Sequence, residues 1–368
     1  IKEKGVWLIP ETANRPADKR VSNGKYIKKN PKTEMKSLPI GISDYVRAQS
    51  DYYYVDKTGL ISELLRNGGM VNLFTRPRRF GKTLNMSMIE HFFSIERDQS
   101  IFEGLEISKD TKLCEEYMGK YPVISISLKG INAATYKDAF DFAVQIMKEV
   151  AATMQFLLES KQLSEYDKSE YQKLLDDNMS EAVFCSSLKK LSILLEKHYG
   201  TKVVLLIDEY DVPLAKAFEN GYYDQMIFLI RSLLEQALKT NNSLKFAVMT
   251  GCMRISKESI FTGLNNLKVL SITDERYDEY FGFTDIEVKK LLDDIGALAQ
   301  YSTVKEWYDG YSFDEIGSIY SPRSVIEATL SGVCDSYWNQ TETFEALRIY
   351  IEMNFEGLKD DVISMIAG

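Results

Sequence analysis

The stretch from Arg76 to Thr83 contains the residue types that bind phosphate groups. It reads Arg-Pro-Arg-Arg-Phe-Gly-Lys-Thr and lies between an apolar run at 70–74 and a helical pattern at 84–89. A strand, then Gly-Lys-Thr, then a helix is the setting of a phosphate-binding loop, because the free N–H groups and positive dipole end of the helix face the anion. In this interpretation Lys82 contacts the β- and γ-phosphates of a nucleotide, and the Thr83 hydroxyl is a ligand of Mg²⁺.

One position departs from the usual pattern of such a loop. The consensus G-x-x-x-x-G-K-[ST] has a glycine where Arg76 stands, and that glycine relieves a tight turn. Gly-Lys-Thr is also frequent by chance. Taken alone, the loop therefore leaves phosphate binding and a chance match equally open.

A second segment bears two acids that suit the same chemistry. The apolar run at 203–207 leads into Asp208 and Glu209, and such a run is typical of a central parallel strand, which is buried on both faces. At its carboxyl end Asp208 would hold Mg²⁺ through water, and Glu209 would act as general base on the attacking water. The alternative is a buried strand that ends in a turn. Together with Gly-Lys-Thr, the pair of acids favours a nucleotide site.

A third apolar run, at 244–249, ends in Thr250 and Gly251, and Arg254 follows shortly after. Ligands of parallel sheets lie at the carboxyl ends of the strands. Thr250 and Arg254 would therefore reach the γ-phosphate region, as a polar sensor and a charge stabiliser. For Arg254, a surface position in a loop is an equally good interpretation.

Composition limits the class of protein. The 368 residues are 45 % hydrophobic and 27 % charged, which indicates a soluble globular chain of two or three domains. The net charge of −9 argues against attraction of the whole molecule to nucleic acid, although basic clusters lie at 76–79 and 25–36. We predict no transmembrane helix, no signal peptide and no zinc site. The four scattered cysteines indicate reduced thiols in the cytoplasm.

Alternating strand and helix patterns define how these residues are positioned. Residues 1–36 are polar and read as an extension or linker. Between 37 and 275, helical patterns at 57–66, 82–94, 136–160, 180–198 and 222–239 alternate with strand patterns at 70–74, 123–128, 203–207, 244–251 and 269–272. This alternation predicts an α/β sandwich with a parallel sheet.

The pattern changes after residue 275, and residues 276–368 read as a smaller, mostly helical domain. Helical stretches are predicted at 285–295, 297–307, 324–330, 343–353 and 358–366, with a turn at 308–311. A winged-helix-like arrangement is one candidate for this domain.

With these motifs in order along roughly residues 37–368, the chain resembles a bacterial family of AAA-ATPase-like proteins. The resemblance is carried by the segments 38–42, 53–58, 76–83, 206–211, 237–241, 250–261, 263–267, 280–284 and 307–311. It implies a P-loop NTPase three-layer sandwich, and in that family the Arg-Pro-Arg-Arg-Phe-Gly-Lys form of the loop is usual. Arg76 is then a family trait, and we expect the three loop arginines to add charge where a triphosphate lies.

The resemblance and the motifs together give an expected site for ATP and Mg²⁺. Catalysis is assigned to Lys82, Glu209 and Arg254, and the metal ligands are Thr83 and Asp208. The ATP contacts are Arg78, Arg79, Phe80, Gly81, Lys82, Thr83, Leu84 and Thr250.

Two functions remain open for this site, beside the alternative that the loop is degenerate and the α/β body is a scaffold. The first is an Mg²⁺-dependent ATPase that couples nucleotide state to the C-terminal domain or to a fused effector. The second is a nucleotide-gated regulatory module that does not hydrolyse ATP and could be associated with nucleic acid. Self-association is open as well, because a loop arginine could serve its own site or that of a neighbouring copy.

Members of the family often carry a PD-(D/E)XK nuclease domain at the C-terminus. The sequence stops at Gly368, before the place where that domain would begin, and residues 1–36 do not match the expected family start. Glu287 and Lys289 fit the E-x-K part of a nuclease motif, with Asp274 upstream. They fall in the first turn of a predicted helix, so helix capping is favoured and nuclease activity is not predicted.

Overall fold

The computed structural model describes residues 2–3, 6–7, 36–252, 260–261, 264–271, 276–313 and 317–337. Its α-helices are α1 (Tyr45–Asp51), α2 (Gly59–Asn67), α3 (Lys82–Phe93), α4 (Thr111–Tyr117), α5 (Tyr136–Ala152), α6 (Glu165–Gln172), α7 (Glu181–Tyr199), α8 (Val212–Glu219), α9 (Tyr223–Leu238), α10 (Asp285–Asp294), α11 (Tyr301–Tyr308) and α12 (Pro322–Ser331). Its strands are β1 (Lys2–Glu3), β2 (Val6–Trp7), β3 (Val71–Thr75), β4 (Val123–Ser127), β5 (Val203–Asp208), β6 (Leu244–Gly251), β7 (Leu267–Leu270), β8 (Phe283–Thr284), β9 (Asp309–Phe313) and β10 (Gly317–Tyr320).

The predicted α/β sandwich with a parallel sheet is confirmed. Five parallel strands are arranged in the order β4-β5-β6-β3-β7. Strand β6 lies between β3, which precedes the Gly-Lys-Thr loop, and β5, which ends in Asp208. Because parallel strands point the same way, the ends of all three meet at one edge of the sheet.

The sheet is buried by helices on both faces, which explains its continuous apolar strands. Alternate residues of β5 belong to different clusters: Val203, Leu205 and Ile207 pack with α5, α7 and α9, whereas Val204 and Leu206 pack with α3. All six residues of β5 and all five of β3 are buried. Burial on two faces fixes the register of these central strands and makes the edge at their carboxyl ends a rigid base for a site.

Most predicted elements of this sandwich are found within a few residues of their predicted ends. The long helix predicted at 136–160 instead ends at Ala152, and a short 3₁₀ helix follows at Gln155–Glu159. Helix α7 begins after Ser180, whose hydroxyl accepts from the N–H of Val183, and ends at Gly200 in the left-handed conformation. The short helices α1, α4, α6 and α8 were not predicted, because seven or eight residues give little periodicity.

The C-terminal part contains a small antiparallel sheet in addition to the expected helices. Strand β10 pairs with β8 on one side and with β9 on the other. The turn predicted at 308–311 is wrong, because this segment forms most of β9. Its Asp and Gly residues suggest a turn locally, but pairing with β10 overrides that preference. Helices α10 and α11 are followed by the hairpin of β9 and β10, and the winged-helix-like arrangement stays a prediction.

Several predictions lie outside the described residues. These are the helices at 343–353 and 358–366, Asp274 of the weighed nuclease motif, Ile272 of the strand predicted at 269–272, and most of the extension at 1–36, including 25–35 of its basic cluster. The boundaries at 36/37 and 275/276 stay predictions. None of the helices in the described ranges combines the length and the apolar composition needed to cross a bilayer.

Candidate functional site

The loop between β3 and α3 encloses the side chain of its own lysine. Lys82 is 6 % exposed, and its Nζ donates to the carbonyl oxygens of Arg76 and Pro77, at 2.8 Å each. Gly81, the N-cap of α3, has φ of 80°, and a Cβ built on it would meet no atom within 4 Å. The backbone conformation, and not lack of space, therefore requires glycine here. The loop presents the N-terminus of α3 and one ammonium group at the same place.

The carboxylate of Asp208 joins the three strand ends. Its Oδ2 accepts from the Thr83 hydroxyl at 2.7 Å, and its Oδ1 accepts from the Thr250 hydroxyl. The Thr250 oxygen in turn accepts from the N–H of Glu209 at 3.4 Å. The order of β3, β6 and β5 brings Thr83, Asp208 and Thr250 together, as the sequence suggested for the sheet edge. A hydroxyl and a carboxylate oxygen side by side are the hard ligands that Mg²⁺ prefers.

Glu209 has both a strained backbone and a perturbed carboxyl group. Its φ is 53°, an uncommon value for a residue other than glycine. Burial is the main cause that raises its pKa above the ordinary value. Asp208 and Asp211 raise this pKa further, whereas Lys129 and Lys82 oppose the shift. A carboxyl group with a raised pKa suits a general base.

Arg76 occupies the position of the first glycine in the usual loop pattern, and its side chain points into the protein. Its Nη1 donates to the carbonyl oxygen of Leu270 at 2.7 Å, and its Nη2 lies 3.0 Å from Asp278 Oδ1. The guanidinium also lies over the ring of Phe281, 5.1 Å from its centroid. The expectation that all three loop arginines add charge beside a triphosphate is wrong for Arg76, because Asp278 neutralises it in the interior.

Residues 39–261 match the family model described as "Predicted AAA-ATPase". The chain belongs to this family. It is also similar, with 27 % identity over 325 residues, to the "Uncharacterized protein in vnfD 5'region" of Azotobacter chroococcum mcd 1. That alignment covers 84 % of this chain and 54 % of the relative, so the chain spans about half the length of the curated relative it matches. The matched region of this AAA-ATPase-like chain contains the Gly-Lys-Thr loop, Asp208 and Thr250.

The remaining residues of the expected site differ in how far their side chains are buried. In this AAA-ATPase-like chain Arg78 and Arg79 are half-buried, and Arg79 has φ of 68°. Phe80 is 2 % exposed and packs toward Gly282, so only its backbone faces the loop. Leu84 is half-buried against the cluster around α3. Arg254 lies outside the described residues.

Three residues beside the site were not predicted. Asp211 Oδ2 accepts from the N–H of Cys252 at 2.8 Å, and the Cys252 sulfur lies 3.6 Å from Lys82 Nζ. Burial raises the pKa of the Cys252 thiol. A Cβ on Gly251 would lie 2.5 Å from Tyr210 Cε1, so this glycine allows close approach. Their sequence signal is position alone, since each lies at a predicted strand end or within four residues after it.

The site is also connected to the C-terminal elements. Asn85, on the first turn of α3, donates to the carbonyl oxygen of Tyr280 at 2.9 Å. Lys57, before α2, is 2.6 Å from the Glu287 carboxylate and donates to the Glu279 carbonyl oxygen. Glu287 forms a capping box with Thr284, which confirms that capping is the role of this E-x-K segment.

Proposed function

We propose that this protein binds ATP together with Mg²⁺ and hydrolyses ATP to ADP and phosphate. The observation that carries the proposal is the Asp208 carboxylate, which accepts from both Thr83 and Thr250 beside the ammonium of Lys82. Thr83 and Asp208 have the hydroxyl and carboxylate oxygens that would hold Mg²⁺. When bound, Mg²⁺ supplies positive charge that neutralises the phosphate oxygens.

In this proposal each residue of the expected site has one role. Lys82 exchanges its two carbonyl acceptors for phosphate oxygens, while the α3 N-terminus at Gly81 donates backbone N–H groups. Glu209 takes the proton of the attacking water, and its raised pKa suits that task. Thr250 senses the γ-phosphate through Asp208.

Four further side chains complete the proposed site. Arg78 and Arg79 line the loop, and their charges favour a polyphosphate. Leu84 contributes apolar surface. Arg254 retains the role of charge stabiliser that the resemblance implies.

We further propose that nucleotide state is transmitted to the C-terminal elements. Two contacts support this: Arg76 of the loop pairs with Asp278, and Asn85 of α3 binds the Tyr280 carbonyl oxygen. Both partners lie in the segment just before β8. A shift of the loop on phosphate binding would therefore pull on the segment that leads into α10 and the small sheet.

Phosphate release and nucleotide binding, measured on the same variants, test the proposal. Lys82→Ala should lower turnover on the order of 100-fold or more and weaken ATP binding in calorimetry. Glu209→Gln should lower turnover to a similar extent while ATP binding persists, because the general base is lost and the charge contacts are not. The exposed Lys161→Ala and Glu103→Gln are matched controls that should leave both unchanged.

Each failure of this test has a distinct meaning. If the wild type binds ATP tightly but releases no phosphate, the protein is the nucleotide-gated module and not an ATPase. Turnover that survives in both site variants would mean that the site is assigned to the wrong residues.

A further inference from the structure

Among the residues that the structure describes, no strand pairs with the outer edge of β4. Strand β4 is the outer strand of the five-stranded sheet and pairs with β5. The N–H of Val204 donates to the Pro122 carbonyl oxygen at 3.0 Å. In a parallel ladder, the backbone N–H and C=O groups of alternate residues point toward the partner strand. Those of Ile124 and Ile126 point toward β5, so those of Val123, Ser125 and Ser127 point away from it. Within the described ranges, the outward backbone groups of Val123, Ser125 and Ser127 have no hydrogen-bond partner.

A groove with a volume of about 1090 Å³ runs along this edge. One wall is α5, which presents Phe142 and Ile146, and the opposite wall contains Ile95. Phe142 is 47 % exposed, an unusual amount for a large apolar side chain in a groove. Ser125 and Ser127 of β4 are exposed and line the groove, so one more strand could lie beside β4 at the usual spacing of about 4.8 Å.

Ser94 and Ile95 already lie along this edge as the start of a parallel strand, but the chain turns away after them. Ser94 pairs with Tyr121 in the parallel sense, and the N–H of Ile95 donates to the Tyr121 carbonyl oxygen at 3.1 Å. Arg97 then donates to the Ser94 carbonyl oxygen, which turns the chain away. The position beside Tyr121 is therefore covered by a parallel segment, and no described segment pairs with the same edge from Val123 onward.

The two ends of the groove differ in charge. Glu96 lies at the end near Tyr121, and it accepts from the neutral Tyr199 hydroxyl. Glu149 also lines the groove and accepts from the amide of Gln145 at 3.1 Å. Arg97, another lining residue, is paired with Glu90. The exposed Lys129 follows β4 at the opposite end of the groove.

We propose that this groove binds an extended segment of a partner protein, which joins β4 as a parallel sixth strand. Strand addition of this kind uses main-chain hydrogen bonds for affinity and alternate side chains for specificity. The chemistry defines the segment: basic residues at its amino end meet Glu96 and Glu149, apolar residues on one face meet Phe142 and Ile146, and acidic residues at its carboxyl end meet Lys129.

A labelled peptide tests the binding step without nucleotide. The probe is fluorescein-labelled Lys-Lys-Val-Thr-Val-Thr-Val-Glu-Glu, and anisotropy is measured with the full chain. We expect saturable binding that Ser125→Pro weakens at least about tenfold, because proline removes an outward N–H and leaves the β5 ladder intact. Ser125→Thr retains that N–H and should bind as the wild type does. A peptide with proline at its central position should not bind.

A second pair of variants keeps the test valid if Ser125→Pro fails to fold. Phe142→Ser should weaken peptide binding, whereas Phe228→Ser, which removes another exposed aromatic ring on α9, should not. Lys82→Ala should bind the peptide normally even where it abolishes ATP turnover. Loss of the proposed ATPase and loss of the proposed docking site are therefore separate results.

Four outcomes would overturn the proposal. They are no saturable binding up to roughly 1 mM peptide, equal binding to Ser125→Pro and Ser125→Thr, equal binding of the central-proline peptide, and equal binding of a peptide with its two charged ends exchanged. Light scattering identifies a further competitor: a dimer that Ser125→Pro dissociates would show that the occupant is a second copy of this chain.

Discussion

Arg76 Nη2 lies 3.0 Å from Asp278 Oδ1, and each of these side chains is 1 % exposed. The pair joins the phosphate-binding loop to the segment before β8, across the end of β7, where Arg76 also binds the Leu270 carbonyl oxygen. Ions in the interior lose their hydration, so each depends on the other and on added hydrogen bonds. The arginine that replaces the first glycine of the loop is thus a structural cation.

Arg76→Ala should therefore destabilise the protein far more than loss of a surface arginine. We expect a decrease in the free energy of unfolding of about 3–5 kcal/mol, because Asp278 remains buried without its counter-ion. Urea denaturation measures this value. Arg66→Ala is the matched control: it breaks an ion pair with Asp110 in which the arginine is 60 % exposed, and it should cost about 1 kcal/mol or less. Equal effects of the two substitutions would contradict the assignment.

The double variant Arg76→Met with Asp278→Leu separates charge from packing. Apolar replacement of both members of a buried ion pair is often neutral. Its unfolding free energy should lie well above that of Arg76→Ala. If nucleotide binding still couples to the C-terminal elements in this variant, the ion pair is not what transmits the signal.

The pKa of Glu209 gives a pH dependence of stability with a defined sign. Burial raises this pKa above its ordinary 4.5, so the folded state holds the proton more tightly than the unfolded state. The stabilisation is complete below pH 4.5 and is lost as the pH rises through the folded-state pKa. The unfolding free energy of Glu209→Gln relative to that of the wild type should therefore be highest at neutral pH. Thermal unfolding at several pH values should show this difference shrinking as the pH falls.

Asp285 provides the opposite case within the same chain. Its partial burial favours a higher pKa, but hydrogen bonds from Lys289, Tyr301 and Tyr320 outweigh burial and lower the pKa to about 2. The Asp285 carboxylate contributes its full stabilisation above pH 3.8, and this stabilisation is lost as the pH falls through about 2. Asp285→Asn should thus be least stable relative to the wild type above pH 4. If both variants shifted in the same direction, the assigned electrostatics would be wrong.

The strand ends could be predicted from sequence because their signals are local. Gly81, Lys82 and Thr83 follow a buried strand, and Asp208 ends another, so the parallel sheet brings them to one edge. The buried position of the Arg76 side chain could not be predicted in this way. Its partner Asp278 is 202 positions away, and a loop motif contains no record of such a tertiary contact.

Pairing across the fold also explains the error in the C-terminal part. Tyr308 to Tyr311 contains the Asp and Gly that favour a turn, and only the partner strand β10 makes most of it a strand. The capping role of Glu287 was predictable because Thr284 lies three residues before it. Its contact with Lys57 was not, for the same reason as the Arg76 pair.

Thr250→Val should impair the site more than its small change in shape suggests. The substitution removes the hydroxyl that donates to Asp208 and accepts from the N–H of Glu209. Leaving these buried groups unpaired costs about 1–3 kcal/mol of stability. We expect lower ATP turnover as well, because the orientation of Asp208 is lost.

Two variants check this expectation in parallel assays of unfolding and phosphate release. Thr250→Ser keeps the hydroxyl and should behave nearly as the wild type. Thr329→Val, in α12, removes a buried hydroxyl that donates to a carbonyl oxygen of its own helix, so it should have little effect. A Thr250→Val protein with wild-type turnover would contradict the bridging role of Thr250.

Gly251→Ala tests whether close packing at the end of β6 supports the site. A Cβ there would lie 2.5 Å from Tyr210 Cε1 and 3.0 Å from Asp211 Oδ1, so the strand end or the ring must shift. We expect a loss of about 1–3 kcal/mol in unfolding free energy and weaker ATP binding, since Cys252 and Lys82 follow the shift. Gly310→Ala is the control, because the nearest atom to its added Cβ is 4.0 Å away.

A double-mutant cycle with Tyr210→Ala separates crowding from backbone strain. Removing the ring makes room for the new Cβ, so the combined loss in unfolding free energy should be smaller than the sum of the two single losses. Gly81→Ala should show no such rescue. Its φ of 80° costs an alanine about 1–2 kcal/mol, whatever its neighbours are. Additive losses for Gly251→Ala and Tyr210→Ala would mean that the ring does not set the requirement for glycine at position 251.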